Sequence, residues 1–182
     1  RLELRMLAEI GLVGYPNAGK STLLSAISSA RPKIAAYPFT TLHPNIGIVE
    51  FADYSRLTVC DIPGIIEGAH NNVGLGHAFL RHVLRCRVLV FMIDMAGTDN
   101  REPWDDFRQL LTELEMYNPE LLNRPRVVAA NKMDEEPAAE KLKQFQDEVG
   151  PVNVVKISAA FDIGLEDLKN KMQQIVAAQP IE

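Results

Sequence analysis

The chain alternates short apolar runs with longer segments in which apolar residues recur about every three to four positions. The apolar runs have the length of buried strands and cover 8–14, 45–51, 56–61, 87–94, 126–131 and 152–158. The residues ADYS join the second run to the third in a turn-like link, which predicts one antiparallel hairpin. Such runs, separated by helical segments, are typical of a parallel sheet covered by helices.

Five further segments have the length or the periodicity of helices, namely 20–29, 77–86, 102–117, 136–149 and 165–178. Two of them carry a clear apolar face, formed by Trp104, Phe107, Leu111 and Leu114 in the third and by Leu165, Leu168, Met172 and Ile175 in the fifth. We assign both faces to core packing. The predicted fold class is α/β, a three-layer sandwich with a mostly parallel six-stranded sheet, one antiparallel edge strand and helices on both faces.

The length, charge and cysteine content of the chain limit the number of domains, the partners and the compartment to be expected. A length of 182 residues is enough for one well-buried core and too short for two typical domains, so we take 1–182 as one domain. The net charge of −5 gives no overall basic field, and we expect no direct DNA partner. An RNA-bound partner would need a local basic patch. The two cysteines, Cys60 and Cys86, have neither a disulfide framework nor metal-ligand spacing, which indicates a reducing compartment.

The longest apolar run, 88–95, is too short to span a bilayer and contains an aspartate, so we expect no membrane span. The first residues run directly into a strand without a signal-peptide pattern, as in a domain excised from a longer chain. We expect a monomer of the bacterial cytoplasm, with a mitochondrion or plastid as the alternative.

The stretch GYPNAGKS, at 14–21, matches G-x-x-x-x-G-K-[ST] between a predicted strand and a predicted helix. Gly14 and Gly19 permit the bends that turn backbone N–H groups toward phosphate oxygens. Lys20 offers a positive charge to the outer phosphates, and Ser21 offers a hydroxyl to Mg²⁺. A glycine-rich turn without function is the alternative, and the flanking elements disfavour it. The pattern makes the predicted sandwich a P-loop NTPase.

Asp61 ends the predicted strand 56–61 and can hold Mg²⁺ through a water, while Gly64 can present its N–H to the terminal phosphate. D-x-x-G is a weak signal alone, but its place at a strand end after the P-loop favours function. In YPFTTLHP, at 37–44, a threonine can close over the metal when a third phosphate is bound. Thr40 and Thr41 both qualify. The loops 30–44 and 62–75 have no periodicity, and loops of that length are usually functional.

The residues NKMD, at 131–134, follow the predicted strand 126–131 and suit the recognition of guanine. The Asp134 carboxylate can accept hydrogen bonds from the N1–H and the exocyclic amine, a donor pair that adenine lacks. Asn131 would brace the loops, and the aliphatic stem of Lys132 would lie along the base. Ser158 and Ala159 would supply a backbone N–H to guanine O6. Together with the P-loop, these elements predict a GTP-binding domain.

The combination of GYPNAGKS, YPFTTLHPNIG, DIPGIIEGAHNNVGLGHAFLRH, NKMD and SAA resembles the Obg family of ribosome-assembly GTPases. The resemblance covers nearly the whole chain, and the stretch from Asp61 to His82 is its most specific part. It implies a role in assembly of the large ribosomal subunit, weak binding and fast exchange of nucleotide, and slow intrinsic hydrolysis. Family members usually carry a glycine-rich domain before the GTPase domain, which agrees with an excised domain.

The resemblance also implies the site residues. Nucleotide contacts fall on Gly14, Tyr15, Pro16, Asn17, Ala18, Gly19, Lys20, Ser21, Phe39, Thr40, Thr41, Leu42, His43, Asp61, Ile62, Pro63, Gly64, Asn131, Lys132, Met133, Asp134, Ser158, Ala159 and Ala160. The metal ligands become Ser21 and Thr41, with Asp61 acting through a water. Catalytic roles go to Lys20, Thr41, Gly64 and Asn17, the last as the asparagine that holds K⁺ in potassium-stimulated GTPases.

Ile65 occupies the place where small signalling GTPases keep a water-orienting glutamine, and an isoleucine can neither donate nor accept a hydrogen bond. Ile65 and Ile66 can simply be apolar loop anchors. Catalytic help can come from K⁺ held by Asn17, or from a partner that orders the loop 65–75. His70 and His77 flank this loop, and we treat them as solvated bystanders rather than bases.

Arg81, Arg85 and Arg87 form a basic cluster that we interpret as a solvated face, with contact to RNA or a ribosomal protein second. The leading functional hypothesis is a switch whose GTP-bound state docks on a precursor of the large ribosomal subunit. A sensor that binds guanine nucleotides, including alarmones, without turnover as its output is the alternative. Asp134 argues against a third possibility, a P-loop ATPase of unrelated task.

Overall fold

The computed structural model describes residues 8–34, 44–62 and 86–179. In chain order its elements are β1 Ile10–Gly14, α1 Lys20–Ile27, β2 Lys33–Ile34, β3 Asn45–Glu50, β4 Arg56–Asp61, β5 Val88–Asp94, α2 Pro103–Tyr117, a 3₁₀ helix Pro119–Asn123, β6 Arg126–Asn131, α3 Ala138–Val149, β7 Val154–Lys156 and α4 Leu165–Ala177. Every predicted strand lies where the apolar runs placed it. The predicted helix at 77–86 lies outside the described residues.

The strands form one sheet in the order β2-β3-β4-β1-β5-β6-β7. Strands β4, β1, β5, β6 and β7 are mutually parallel, and β3 pairs with β4 as the predicted antiparallel hairpin. The predicted fold class is confirmed. Within the described residues the sheet has seven strands rather than six, because β2 pairs with the free edge of β3. The antiparallel strand β3 therefore lies one place inside the edge. Two exposed residues, Lys33 and Ile34, carry no alternation from which β2 could be predicted.

The parallel pairing brings the carboxyl ends of four strands to one edge of the sheet. Gly14, Asp61, Asp94 and Asn131 end β1, β4, β5 and β6. In the sheet β1 lies between β4 and β5, and the chain crosses from β4 on one side of β1 to β5 on the other, so the strand order reverses beside β1. Ligands of open α/β sheets bind at such a reversal, outside the carboxyl ends of the strands. The topology therefore places the polar strand ends where a ligand is expected.

Helices cover both faces of the sheet. On one face the rings of Phe91, Phe107 and Phe145 meet edge to face, with centroids 5.3 Å and 5.6 Å apart, and join α2 and α3 to β5. On the other face, Leu23 of α1 and Leu168 and Met172 of α4 pack against β1, β5 and β6. The predicted apolar faces of α2 and α4 thus serve the core. No helix within the described ranges is long and apolar enough to cross a membrane.

Arg87 is not part of a solvated basic face, and this expectation was wrong. Its Nη2 donates hydrogen bonds to the carbonyls of Val176 (3.0 Å) and Gln179 (2.8 Å), at the C-terminal end of α4. A cation is favourable there because it meets the negative end of the helix dipole. Arg87 therefore fixes the last helix to the start of β5. Arg81 and Arg85 lie outside the described residues.

Candidate nucleotide-binding site

The P-loop of this chain joins β1 to α1 and bends through two residues with positive φ. Asn17 has φ 64° and Gly19 has φ 101°. A Cβ on Gly19 would lie 2.3 Å from Nδ2 of Asn131, so the position requires glycine for space as well as for conformation. Gly19 is also the N-cap of α1, which directs the positive end of the helix at this loop. The bend of this loop therefore agrees with the G-x-x-x-x-G-K-[ST] motif at 14–21.

The Lys20 side chain turns back over the loop that precedes it. Its Nζ donates to the carbonyls of Gly14 at 2.7 Å and Tyr15 at 3.1 Å. Burial lowers the pKa of Lys20, and the nearby Asp61 carboxylate opposes this shift. The ammonium is thus partly desolvated and held at the mouth of the loop, where an anion would interact with it strongly.

The side chains of Ser21, in the first turn of α1, and Asp61, the last residue of β4, contact each other. The Ser21 hydroxyl donates to Oδ2 of Asp61 at 3.2 Å, and the other carboxylate oxygen, Oδ1, is buried without a hydrogen-bond partner. Burial raises the pKa of Asp61, while Lys20 and Ser21 oppose the shift. A buried carboxylate oxygen without a partner calls for a cation or an ordered water. A hydroxyl and a carboxylate are also oxygen ligands of the type that Mg²⁺ prefers, so the pair fits that ion.

Asn131 connects three loops through its side-chain amide. Nδ2 donates to the carbonyl of Ala18 in the P-loop at 2.7 Å, and Oδ1 accepts from the N–H of Ala159 at 3.0 Å. Both bonds are buried, and they span long sequence separations. The expectation that Asn131 braces the loops is confirmed.

The backbone N–H groups of Ser158 and Ala159, the expected donors to guanine O6, both have hydrogen-bond partners within the protein. The N–H of Ser158 donates to the carbonyl of Ile163 at 3.0 Å, and that of Ala159 is used by Asn131. The donation of a backbone N–H from this loop to guanine O6 stays a prediction.

Asp134 is oriented by its neighbour Ser158, whose hydroxyl donates to Oδ1 at 2.5 Å. The Asp134 side chain is exposed. The carboxylate lies on the loop after β6, next to the strand ends, so a base bound there would itself shield it from solvent. Met133 supports the loop, since its N–H donates to the carbonyl of Ile157 at 3.1 Å.

Lys132 has φ 62°, a left-handed conformation that costs a non-glycine residue energy and marks a constrained position. Its Nζ donates to Oδ2 of Asp94 at 2.7 Å and to Oγ1 of Thr98 at 2.8 Å. Burial would raise the pKa of Asp94, but the hydrogen bonds from Lys132 and Thr98 outweigh it and hold that pKa below its ordinary value. The ammonium is thus fixed, and the aliphatic stem of Lys132 has one defined course.

Sequence reasoning missed Asp94, Thr98 and Arg101. Asp94 ends a buried parallel strand in the same way as Asp61, and that likeness was a signal available from the sequence. Thr98 and Arg101 lie in a short loop without a recognisable pattern. Their roles depend on contacts with residues far away in the sequence, which periodicity cannot reveal.

Part of the predicted site lies outside the described residues. This part includes most of the expected metal-closing loop and most of the loop after Asp61. The predicted residues in it are Phe39, Thr40, Thr41, Leu42, His43, Pro63, Gly64, Ile65, Ile66, His70 and His77. The described Ile62 is buried, and its N–H donates to the carbonyl of Leu12 at 3.1 Å. Ile62 therefore anchors the start of that loop in the core. Pro16 and Asn17 are exposed at the crest of the P-loop.

Comparison with known proteins adds independent information. The family described as 50S ribosome-binding GTPase matches residues 9–132. A protein named GTPase Obg from Akkermansia muciniphila is 55% identical over 175 residues, which cover 96% of this chain and 50% of the relative. One of the same name from Chloroflexus aurantiacus is 58% identical over 181 residues, covering 98% of this chain and 41% of the relative. The chain thus spans about half or less of the length of these relatives.

Solved structures agree on the fold. The cytosolic domain of the T. maritima FeoB iron transporter, in its GMPPNP form, matches with a TM-score of 0.68 at 21% identity, over 95% of this chain and 65% of that one. At this identity the match supports the fold alone. The resemblance to Obg proteins is confirmed by the curated relatives, and the family match places this chain in the family of 50S ribosome-binding GTPases.

Proposed function

We propose that this chain binds GTP with Mg²⁺, hydrolyses it slowly and acts as a switch on precursors of the large ribosomal subunit. The observation that carries the proposal is the Asn131 amide, which joins the P-loop to the loop carrying Ser158 and Ala159. Because of this junction, a phosphate site and a guanine-reading site lie side by side on one sheet edge. Membership in a GTPase family supports guanine nucleotides as the ligands.

Phosphate binding falls to the P-loop. Backbone N–H groups around the bend at Gly19, the N-terminus of α1 and the Lys20 ammonium all present positive charge to one region. Lys20 must exchange its bonds to the carbonyls of Gly14 and Tyr15 for phosphate oxygens. This exchange is favourable because a charge-assisted bond to phosphate is stronger than one to a neutral carbonyl.

Mg²⁺ would be held by the Ser21 hydroxyl and, through a water, by Asp61, with Thr41 as the expected third group. When bound it neutralises charge that develops on the phosphates. The unpartnered Oδ1 of Asp61 supports this assignment from within the protein. Asp61 also keeps Ser21 correctly placed, since the two side chains are hydrogen-bonded.

Hydrolysis is expected to be slow because Ile65 cannot orient water. We propose that K⁺ held near Asn17 supplies part of the missing positive charge between the phosphates. Asn17 is exposed at the crest of the P-loop, where its side chain is accessible to an ion beside the nucleotide. Lys20 and Gly64 would contact the phosphates directly in the same step.

Replacing Na⁺ by K⁺ at constant ionic strength should raise the rate of phosphate release from GTP about tenfold. The matched variant is Asn17→Gly, since glycine tolerates φ 64° and only the amide is lost. This variant should turn over at one rate in both salts while retaining its affinity for GDP. Equal rates in both salts for the unmodified protein would remove K⁺ from the mechanism, and ATP in place of GTP should give no comparable release.

Docking on a ribosomal precursor distinguishes the switch from the nucleotide sensor. The family description and the names of the relatives support the switch, and their bacterial sources support a bacterial cytoplasm for this chain. We expect a monomeric protein that cosediments with large subunits in a non-hydrolysable GTP analogue and is released in GDP. The sensor hypothesis predicts tight binding of guanine nucleotides with no cosedimentation in either state. The test needs the full-length protein as well as this chain.

A further inference from the structure

The loop between β5 and α2, residues 95–102, touches both halves of the proposed site although no recognised motif includes it. We call this loop the strap. One end holds Lys132, and the other holds Tyr15 of the P-loop. These two contacts can affect the two halves of the site either independently or as one unit.

At the base-reading end, Asp94 organises the strap and Lys132 together. Its Oδ1 accepts from the N–H groups of Ala96 at 2.9 Å and Gly97 at 3.2 Å, while its Oδ2 accepts from the Thr98 hydroxyl and from Lys132. Thr98 contacts Lys132 directly as well. The position of the Lys132 stem therefore depends on the conformation of the strap.

At the phosphate end, the Arg101 guanidinium lies over the Tyr15 ring, 3.5 Å from its centroid. Nε of Arg101 donates to Oδ1 of the buried Asp106 at 2.7 Å, which fixes the guanidinium from behind. The carbonyl of Tyr15 accepts from Nζ of Lys20. Arg101 thus packs against a residue of the P-loop itself and can influence the conformation of that loop.

The strap between these ends is a closed turn that leaves little freedom. Gly97 has φ 66°, and a Cβ there would lie 2.7 Å from the carbonyl oxygen of Arg101 and 2.4 Å from Nζ of Lys141. Asn100 has φ 55°, and its N–H donates to the Gly97 carbonyl at 3.1 Å. One hydrogen-bonded turn with two left-handed residues, Gly97 and Asn100, therefore joins Thr98 to Arg101.

We propose that the strap couples the two halves of the site, so that its conformation sets the affinities for the base and the phosphates together. Thr98 and Arg101 are positioning residues that act through Lys132 and Tyr15 and do not touch the nucleotide. The proposal rests on the function proposed above, since it assumes that Lys132 contacts guanine and that the P-loop binds phosphate.

A double-mutant cycle on GDP affinity tests the coupling. Thr98→Val removes the hydroxyl at constant shape, and Arg101→Gln removes the stacked cation. Each should weaken binding of a fluorescent GDP analogue about fivefold. The double variant should also weaken it only about fivefold, because either substitution alone already breaks the coupling between the two halves of the site. Arg101→Gln should in addition weaken competition by guanosine, which has no phosphate. Thr98→Ser keeps the hydroxyl and should recover the affinity of the unmodified protein.

The controls use the same chemical changes away from the site. Thr112→Val lies on the exposed side of α2, and Arg56→Gln lies in the β3–β4 hairpin. Both should bind GDP like the unmodified protein. If Arg101→Gln does not fold, as judged by thermal unfolding, Arg101→Met, which also removes the cation, replaces it in the cycle. Independent effects that multiply to about 25-fold would overturn the coupling. Failure of the unmodified protein to prefer GDP over ADP would instead overturn the proposed function.

Discussion

Replacing Asp134 by asparagine is expected to lower the affinity for GDP by at least about 100-fold and to make the site prefer xanthosine diphosphate. The Ser158 hydroxyl holds Asp134, so asparagine can adopt the same orientation with its oxygen toward Ser158. Its amide nitrogen then presents a donor to position 2 of the base. Guanine has an amine there, which also donates, whereas xanthine has a carbonyl that accepts.

Competition of unlabelled GDP and xanthosine diphosphate against a fluorescent GDP analogue measures this change in preference. The matched control is Asp147→Asn, on the exposed face of α3, which should leave both affinities unchanged. An Asp134→Asn protein that binds GDP as well as the unmodified protein would show that another group reads the base.

Replacing Lys20 by methionine should lower the affinity for GDP about 100-fold without destabilising the fold. The loss follows from the charge-assisted bonds to phosphate. Stability should change little, because relief of the desolvation that lowers the pKa of Lys20 offsets the loss of its hydrogen bonds and of its attraction to Asp61. A lysine with a lowered pKa in the folded state costs stability at neutral pH, and this cost decreases as the pH rises toward its unfolded value. Methionine retains the apolar stem and removes the cost.

Titration with GDP and thermal unfolding, measured on the same sample, separate these effects. Lys143→Met, on the exposed side of α3, is the control and should change neither quantity. Weakened binding with an unfolding midpoint within about 3 °C of the unmodified protein would assign Lys20 to the ligand. Unchanged GDP affinity, or a large loss of stability, would assign it to the fold.

The strand positions and the phosphate loop could be predicted from sequence because their signals are local. A buried parallel strand appears as an apolar run, and the positive φ of Gly19 is a local reason for glycine at that position of the P-loop. The polar residues that end β4 and β6, Asp61 and Asn131, could also be recognised. Parallel pairing then brings those ends together without further information.

The remaining features depend on pairs of residues that are distant in the chain. The bond between Ala159 and Asn131, the exposure of Asp134 and the contact of Arg101 with Tyr15 have no counterpart in periodicity or motif. Arg87 shows the same limit, since its partners at the end of α4 could be identified only from the fold. For this reason Arg87 was interpreted, together with Arg81 and Arg85, as part of a solvated basic face.

Calorimetric titration of the unmodified protein with GDP and with ADP, in the presence of Mg²⁺, tests the central claim most directly. We expect GDP to bind at least about 100-fold more tightly than ADP, since adenine leaves Asp134 without its donor pair. Removing Mg²⁺ should weaken GTP more than GDP. Equal affinities for the two diphosphates, or no heat of binding from either, would contradict a guanine-selecting phosphate site on this sheet edge.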